Sequence, residues 1–153
     1  PEAKSKKCEF TEGKFNEIID GSEKNKSSVK RVLITSGKVY YDLLKYKNEN
    51  RISDITIVRL EQYYPYESEM MKEILASYIN AKEVVWVQEE PENMGAWNFL
   101  ALRLKRDLAE HQKLYSVCRK ESASPAEGSM SKFIKSQEEL MEKAFGKDVK
   151  PVV

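Results

Sequence analysis

At 153 residues the chain is the size of a single domain and long enough to bury a substantial core. Its 26 Lys and Arg against 25 Asp and Glu leave a net charge of +1, too balanced to imply a nucleic-acid binder, and the lysines near the start (Lys4, Lys6, Lys7, Lys24, Lys26, Lys30) read as solvated charge. No apolar run approaches the roughly 18 to 20 residues of a membrane span and no signal-peptide core is present. The two cysteines, Cys8 and Cys118, lack zinc or disulfide spacing, which fits a reducing intracellular compartment.

In chain order, residues 1–13 are polar and read as a loosely ordered linker; Pro1 in place of Met points to a fragment of something longer. Phe15, Ile18 and Ile19 form a brief apolar segment, an edge strand or a helical turn, and Gly21–Ser28 is loop by composition. Arg31–Ser36 is predicted as a strand, followed by Gly37 and a helical pattern from Lys38 through Val39, Tyr40, Leu43 and Leu44. A strand, a Ser-Gly turn and a helix start can favour an anion, with Lys38 at hand. A lone glycine equally serves a tight turn, and no GxGxxG or GxxxxGK[ST] pattern is present.

Ile55–Leu60 is the second strong strand, and Arg59 inside its apolar run calls for an ion pair, with Glu61 or an acid near Glu89. Tyr63, Tyr64 and Tyr66 form an aromatic turn around Pro65, expected to pack over a sheet edge. A helix from about Glu67 to Tyr78 then places Met70, Met71, Ile74 and Leu75 inward.

Residues Glu83–Trp97, E-V-V-W-V-Q-E-E-P-E-N-M-G-A-W, form the stretch around which the chain is organised. Val84–Val87 is unbroken by charge, as in a strand covered on both faces of a parallel sheet, with Pro91 expected to stop the ladder. Trp97, Leu100, Ala101, Leu104 and Leu108 recur at helical spacing. Gln88, Glu89 and Glu90 therefore fall at the carboxyl end of a central strand, where open α/β sheets meet ligands and partners. The acidic pair is either a solvated turn or a grip for an Arg or Lys of a neighbour; adjacent strand residues point to opposite faces, so it is a poor acid/base dyad.

Lys113–Cys118 is the last strand, His111 lies in a polar helix end without ligand spacing, and Ser122–Gly128 is a loop of small residues. A terminal helix from Met130 to about Phe145 uses Phe133, Ile134, Leu140, Met141 and Ala144 and is capped by Gly146. Strands alternating with helices at intervals of roughly 25 to 30 residues predict an α/β doubly wound fold. No catalytic triad, metal-ligand spacing or nucleotide fingerprint accompanies it.

Four blocks nevertheless resemble a family: R-V-L-I-T-S-G-K-V-Y-Y-D-L-L (Arg31–Leu44), I-V-R-L-E-Q-Y-Y-P-Y (Ile57–Tyr66), V-V-W-V-Q-E-E-P-E-N-M-G-A-W (Val84–Trp97) and S-A-S-P-A-E-G (Ser122–Gly128). They are similar, in the same order, to the C-terminal domain of the decarboxylating first component of 2-oxoglutarate dehydrogenase. That resemblance implies a three-layer transketolase C-terminal-domain-like fold over 14–146, after the 1–13 linker and before a 147–153 tail. Its sheet would be mostly parallel and five-stranded, with an antiparallel edge strand at Phe15–Ile19. It also implies a homodimeric parent using thiamine diphosphate and Mg²⁺ that decarboxylates 2-oxoglutarate and succinylates the lipoyl group of the succinyltransferase component, in bacterial cytoplasm or mitochondrial matrix.

In such enzymes the cofactor motif and the catalytic histidines lie upstream, so this fragment is expected to be non-catalytic, to hold no cofactor or metal, and to serve dimer building. The alternative is a regulatory module taking an acyl-CoA or adenine nucleotide; a free-standing flavodoxin-like domain fits less well. Interface or effector candidates are Lys38, Arg59, Glu89, Glu90, Asn93, Trp97, Ser122 and Ser124. The chain departs from the family pattern at Arg119-Lys120-Glu121, where relatives commonly have G-R-P, and at Phe133, where they usually carry a His.

Overall fold

A computed structural model describes residues 7–146 and 149. The first part of the expected linker (1–6) and nearly all of the tail (147, 148 and 150–153) lie outside the described residues. The elements are α1 (Lys7–Thr11), β1 (Ile18–Ile19), a 3-10 turn (Lys26–Ser28), β2 (Arg31–Thr35), α2 (Val39–Glu49), β3 (Ile55–Leu60), α3 (Ser68–Ser77), β4 (Glu83–Pro91), α4 (Trp97–Asp107), β5 (Lys113–Arg119) and α5 (Met130–Phe145). They build a five-stranded sheet of order β1-β3-β2-β4-β5, parallel throughout except for the β1–β3 pair.

Alternation along each strand sorts the core into two layers. Val32, Ile34, Val84, Trp86 and Leu114 face α3 and α4, meeting Met71, Leu75, Leu100 and Leu104. Leu33, Val85, Val87 and Val117 face α2 and α5, meeting Leu43, Leu140 and Met141. Because both faces of β2 and β4 are covered, their central residues need no polar side, which is why Val32–Ile34 and Val84–Val87 run apolar without a break. Each fully buried Leu, Ile or Val in these layers contributes roughly 1.5 to 3 kcal/mol relative to exposure.

Several expectations need correction. The leader is not wholly irregular: the Glu12 N–H donates to the Cys8 carbonyl at 2.8 Å and closes the one-turn α1. The edge strand is limited to Ile18 and Ile19, paired with Leu60 and Arg59, and Phe15 stands in solvent because no second layer reaches it. Pro91 does not stop the ladder. β4 runs through it, and after a register shift beyond Val87, Pro91 pairs with Arg119 at an irregularity where the missing N–H costs nothing. Met70 and Ile134 were expected inward but lie on the outer sides of α3 and α5, since Met71, Leu75, Leu140 and Met141 already fill the apolar stripe.

Arg31 is a buried cation that locks two layers together. Its guanidinium pairs with Glu83 at 2.7 Å and donates to the Ala144 carbonyl at 2.9 Å and the Gly146 carbonyl at 2.5 Å. It thereby satisfies carbonyls that α5 leaves open at its C-terminus, where the helix dipole favours a cation.

Candidate functional site

The chain leaves β2 toward β3 on one side and reaches β4 on the other, so the crevice between β2 and β4 at their carboxyl ends is the switch point of the sheet. Gly37 turns out of β2 with φ +68° and nothing within 4 Å of where a Cβ would stand, so its glycine serves backbone conformation alone. Lys38 follows, its ammonium 3.9 Å from both Asp42 and Glu89 and 5.4 Å from the Phe133 ring centre. The lysine expected to meet an anion thus already lies between two carboxylates.

Arg59 stands on the far side of β2. Its Nε donates to Glu61 at 3.0 Å, so the expected ion pair forms with Glu61, but half-buried rather than fully enclosed. The guanidinium also sits 4.6 Å from the Tyr40 ring centre and 5.8 Å from that of Tyr41. Tyr63 packs edge-on against Trp86 with ring centres 6.3 Å apart, as expected of the aromatic turn, whereas Tyr64 projects outward. His111 is exposed.

Gln88 organises the acidic stretch, a role that a reading focused on charges missed. Its Oε1 accepts from Trp86 Nε1 at 2.9 Å and from the Trp97 N–H at 3.0 Å. Its Nε2 donates to the carbonyls of Met94 at 2.8 Å and Pro91 at 3.1 Å. One buried amide therefore ties the strand, the turn and the start of α4, and Gly95 (φ +67°) lies so close that a Cβ would stand 3.0 Å from the amide. The glutamine, proline, glycine and tryptophan of Q-E-E-P-E-N-M-G-A-W are parts of this one knot. Trp97 is accordingly a core anchor, away from the open crevice.

Beside the knot, Asn93 and Ser122 exchange two hydrogen bonds. Asn93 Nδ2 donates to the Ser122 carbonyl at 3.0 Å, and the Ser122 N–H donates to Asn93 Oδ1 at 3.1 Å. The Ser124 N–H donates to Ser122 Oγ at 3.1 Å, and Ser124 Oγ donates to the Ala126 carbonyl at 3.0 Å. The small-residue loop is thus pinned over the ends of β4 and β5.

Two cavities flank that loop, of about 340 Å³ and 570 Å³. Arg119 lines both. Its Nη2 donates to Gln137 at 3.0 Å and its guanidinium lies 5.2 Å from the Phe133 ring centre, while its buried Nε has no hydrogen-bond partner among the described residues. The two departures from the family pattern, at 119 and 133, therefore meet in space. Cys118 also borders the smaller cavity, but burial, then the charges of Glu92 and Glu90, push its thiol up to about 12, leaving it protonated and unreactive near neutral pH.

Of the eight candidates, the structure brings Lys38 to Glu89 and joins Asn93, Ser122 and Ser124 in one hydrogen-bonded loop; Arg59 and Trp97 lie elsewhere. Glu90 is exposed and has no ion-pair partner among the described residues. No group of three or more His, Cys, Asp and Glu among the described residues is placed to hold a metal ion, and no helix among them is long and apolar enough to cross a membrane.

Comparison with known proteins bears on what this edge serves. The chain is 42% identical over 147 residues to the 2-oxoglutarate dehydrogenase E1 component of Cupriavidus necator, covering 95% of this chain and 16% of that protein. It is 42% identical over 139 residues to the protein of that name from Rickettsia typhi (88% and 15%) and 40% identical over 137 residues to that from Azotobacter vinelandii (87% and 14%). The chain thus spans about one sixth of the length of these relatives. Residues 4–145 match the family described as 2-oxoglutarate dehydrogenase C-terminal, and on that match, with the mostly parallel three-layer fold the resemblance implied, the chain belongs to that family.

Proposed function

We propose that residues 14–146 are the C-terminal domain of a 2-oxoglutarate dehydrogenase first component and act there as a non-catalytic scaffold that helps build the homodimer. The carrying observation is the match over 95% of this chain to a 2-oxoglutarate dehydrogenase E1 component of which it covers only 16%. In this reading the parent decarboxylates 2-oxoglutarate and passes the succinyl group to the lipoyl arm of the succinyltransferase component, in a multienzyme complex of the tricarboxylic acid cycle. The bacterial relatives favour a cytoplasmic home.

Thiamine diphosphate and Mg²⁺ belong to that chemistry, but the described residues do not fit them. The donor set lacks a metal-binding group, and the helix start best suited to a diphosphate carries Lys38 already flanked by Asp42 and Glu89. In this reading the cofactor is held by the part of the parent outside this chain.

The test is to purify the full-length parent, follow 2-oxoglutarate oxidation with ferricyanide, and titrate residues 14–146 with thiamine diphosphate and Mg²⁺ by calorimetry. The parent is expected to turn over and to sediment as a dimer, with no saturable heat from the domain. Saturable cofactor binding by the domain would overturn the scaffold reading.

A second reading, a regulatory site for an acyl-CoA or adenine nucleotide, is favoured by one observation. The Arg119 Nε lacks a partner where two cavities meet beside Ser122 and Ser124. A flat thermal-shift response of the parent to acetyl-CoA and AMP would remove it.

A further inference from the structure

A groove of about 450 Å³ lies between α2 and α5. Its floor is apolar, built from Tyr46, Phe133, Ile134 and Met141, and Ile134 stands 50% exposed there. The Tyr46 ring stacks on Phe145 with centres 5.0 Å apart and ties the two helices at one end. The rim is acidic, with Asp42, Glu49, Glu138 and Glu142 against one cation, Lys45.

Two of those carboxylates are already engaged. Glu49 lies 3.9 Å from Lys45, and Asp42 accepts from Gln137 at 3.0 Å and lies 3.9 Å from Lys38. Glu138 and Glu142 form no ion pair among the described residues. Glu142 also falls in the last turn of α5, where the helix dipole disfavours an anion, and Lys143 of the same turn lines a different cavity. An apolar floor beside two unneutralised carboxylates fits a segment that is itself apolar and carries a cation.

The chain brings such a segment to the place. Past Gly146, whose carbonyl accepts from Arg31 at 2.5 Å, Val149 is half-buried and packs on the core layer that contains Leu43, Leu140, Met141 and Ala144. Met141 belongs both to that layer and to the floor of the groove. The residues after Val149 are Lys150, Pro151, Val152 and Val153, one cation and three apolar side chains. Four extended residues span about 13 Å, and Met141 to Ile134 is roughly 10 Å along a helix, so the segment is long enough to cover the floor.

We propose that residues Lys150–Val153 fold back along α5 and fill this groove, so that the chain straps its own acidic cleft. Alternation along an extended segment puts Val149, Pro151 and Val153 on the floor and turns Lys150 to the rim, toward Glu138 and Glu142. A proline is tolerated there because a strap lying across two helices has no strand ladder to feed with its N–H. Asp148 precedes Val149 and stays outside the stretch that enters the groove. The inference is independent of what the parent catalyses.

The experiment is hydroxyl-radical footprinting of the intact full-length protein, read by mass spectrometry and corrected for intrinsic side-chain reactivity. Ile79, 61% exposed in the turn after α3, is a reference of the same residue type, and Leu102, 79% exposed on α4, is a second. Ile134 is expected to be oxidised far more slowly than either. Val153→Asp should raise Ile134 oxidation about tenfold, the scale of losing one buried aliphatic side chain. Lys150→Glu should raise it about threefold, the scale of a partly exposed ion pair. Unchanged oxidation of Ile79 and Leu102 in both variants shows that the fold is intact. Oxidation of wild-type Ile134 at the rate of Ile79 would overturn the proposal, and so would protection that survives either variant. Surviving protection that is lost on dilution would give the groove to a second copy of the chain, and protection independent of concentration would give it to another part of the longer protein.

Discussion

Gln88 shows how one buried amide can do what several charges beside it do not. Both of its polar atoms are satisfied, by the Trp86 indole, the Trp97 N–H and carbonyls of the Pro91–Met94 turn. Gln88→Leu keeps the size but strands the indole and the first N–H of α4, each a loss on the order of 1 to 3 kcal/mol. We expect a destabilisation of about 3 kcal/mol in urea denaturation, with the unfolding slope unchanged. Sequence reading found the stretch but dwelt on Glu89 and Glu90, because charge is conspicuous and an amide's partners are mostly carbonyls that carry no sequence signature. Arg59 shows the opposite case. A charge inside an apolar run announces its need for a partner, and Glu61, two residues on, is the nearest acid on the same side of the strand.

Elements with a full period of burial were legible nearly to the residue. β3 (Ile55–Leu60) and α5 (Met130–Phe145) lie where alternation and helical spacing placed them. Those with little burial were not, as Phe15 and α1 show, because two paired residues or one exposed turn leave no periodic trace. What holds α5 in place was also hidden, since Arg31 reaches Ala144 across 113 positions of sequence. Arg31→Met should therefore loosen that helix end first. Glu83 is a third exposed and can be hydrated, so the cost is about 2 kcal/mol, most of it from carbonyls left without donors. Hydrogen exchange in the last turn of α5 is expected to rise more than in β2, and equal acceleration of both would count against a local latch.

Across the molecule as a whole, two tyrosines, Tyr78 buried and Tyr66 half-buried, couple stability to alkaline pH. Burial above all, and then the neighbouring Asp107 and Asp20 respectively, hold the phenols of Tyr66 and Tyr78 protonated beyond their ordinary range. A tyrosine in the unfolded chain ionises near pH 10. Below that value both states are protonated and the contribution is intact; above it the unfolded chain loses protons first, so stability drains away as pH rises. Denaturation midpoints should fall from about pH 10 upward, and less steeply in Tyr66→Phe, which cannot ionise. A wild-type midpoint that stays level to pH 11 would contradict this. Hydrophobic period and turn chemistry, which act over a few neighbouring residues, were enough to specify the well-buried strands, the helices packed on them and a sheet covered on both sides, and four short blocks pointed to the family. Which charges remain open was decided only once the chain folded. Lys38 met Glu89, Arg119 met Phe133, and Glu90 was left facing solvent, because those encounters depend on strand order and crossover, through which residues far apart in sequence become neighbours in space.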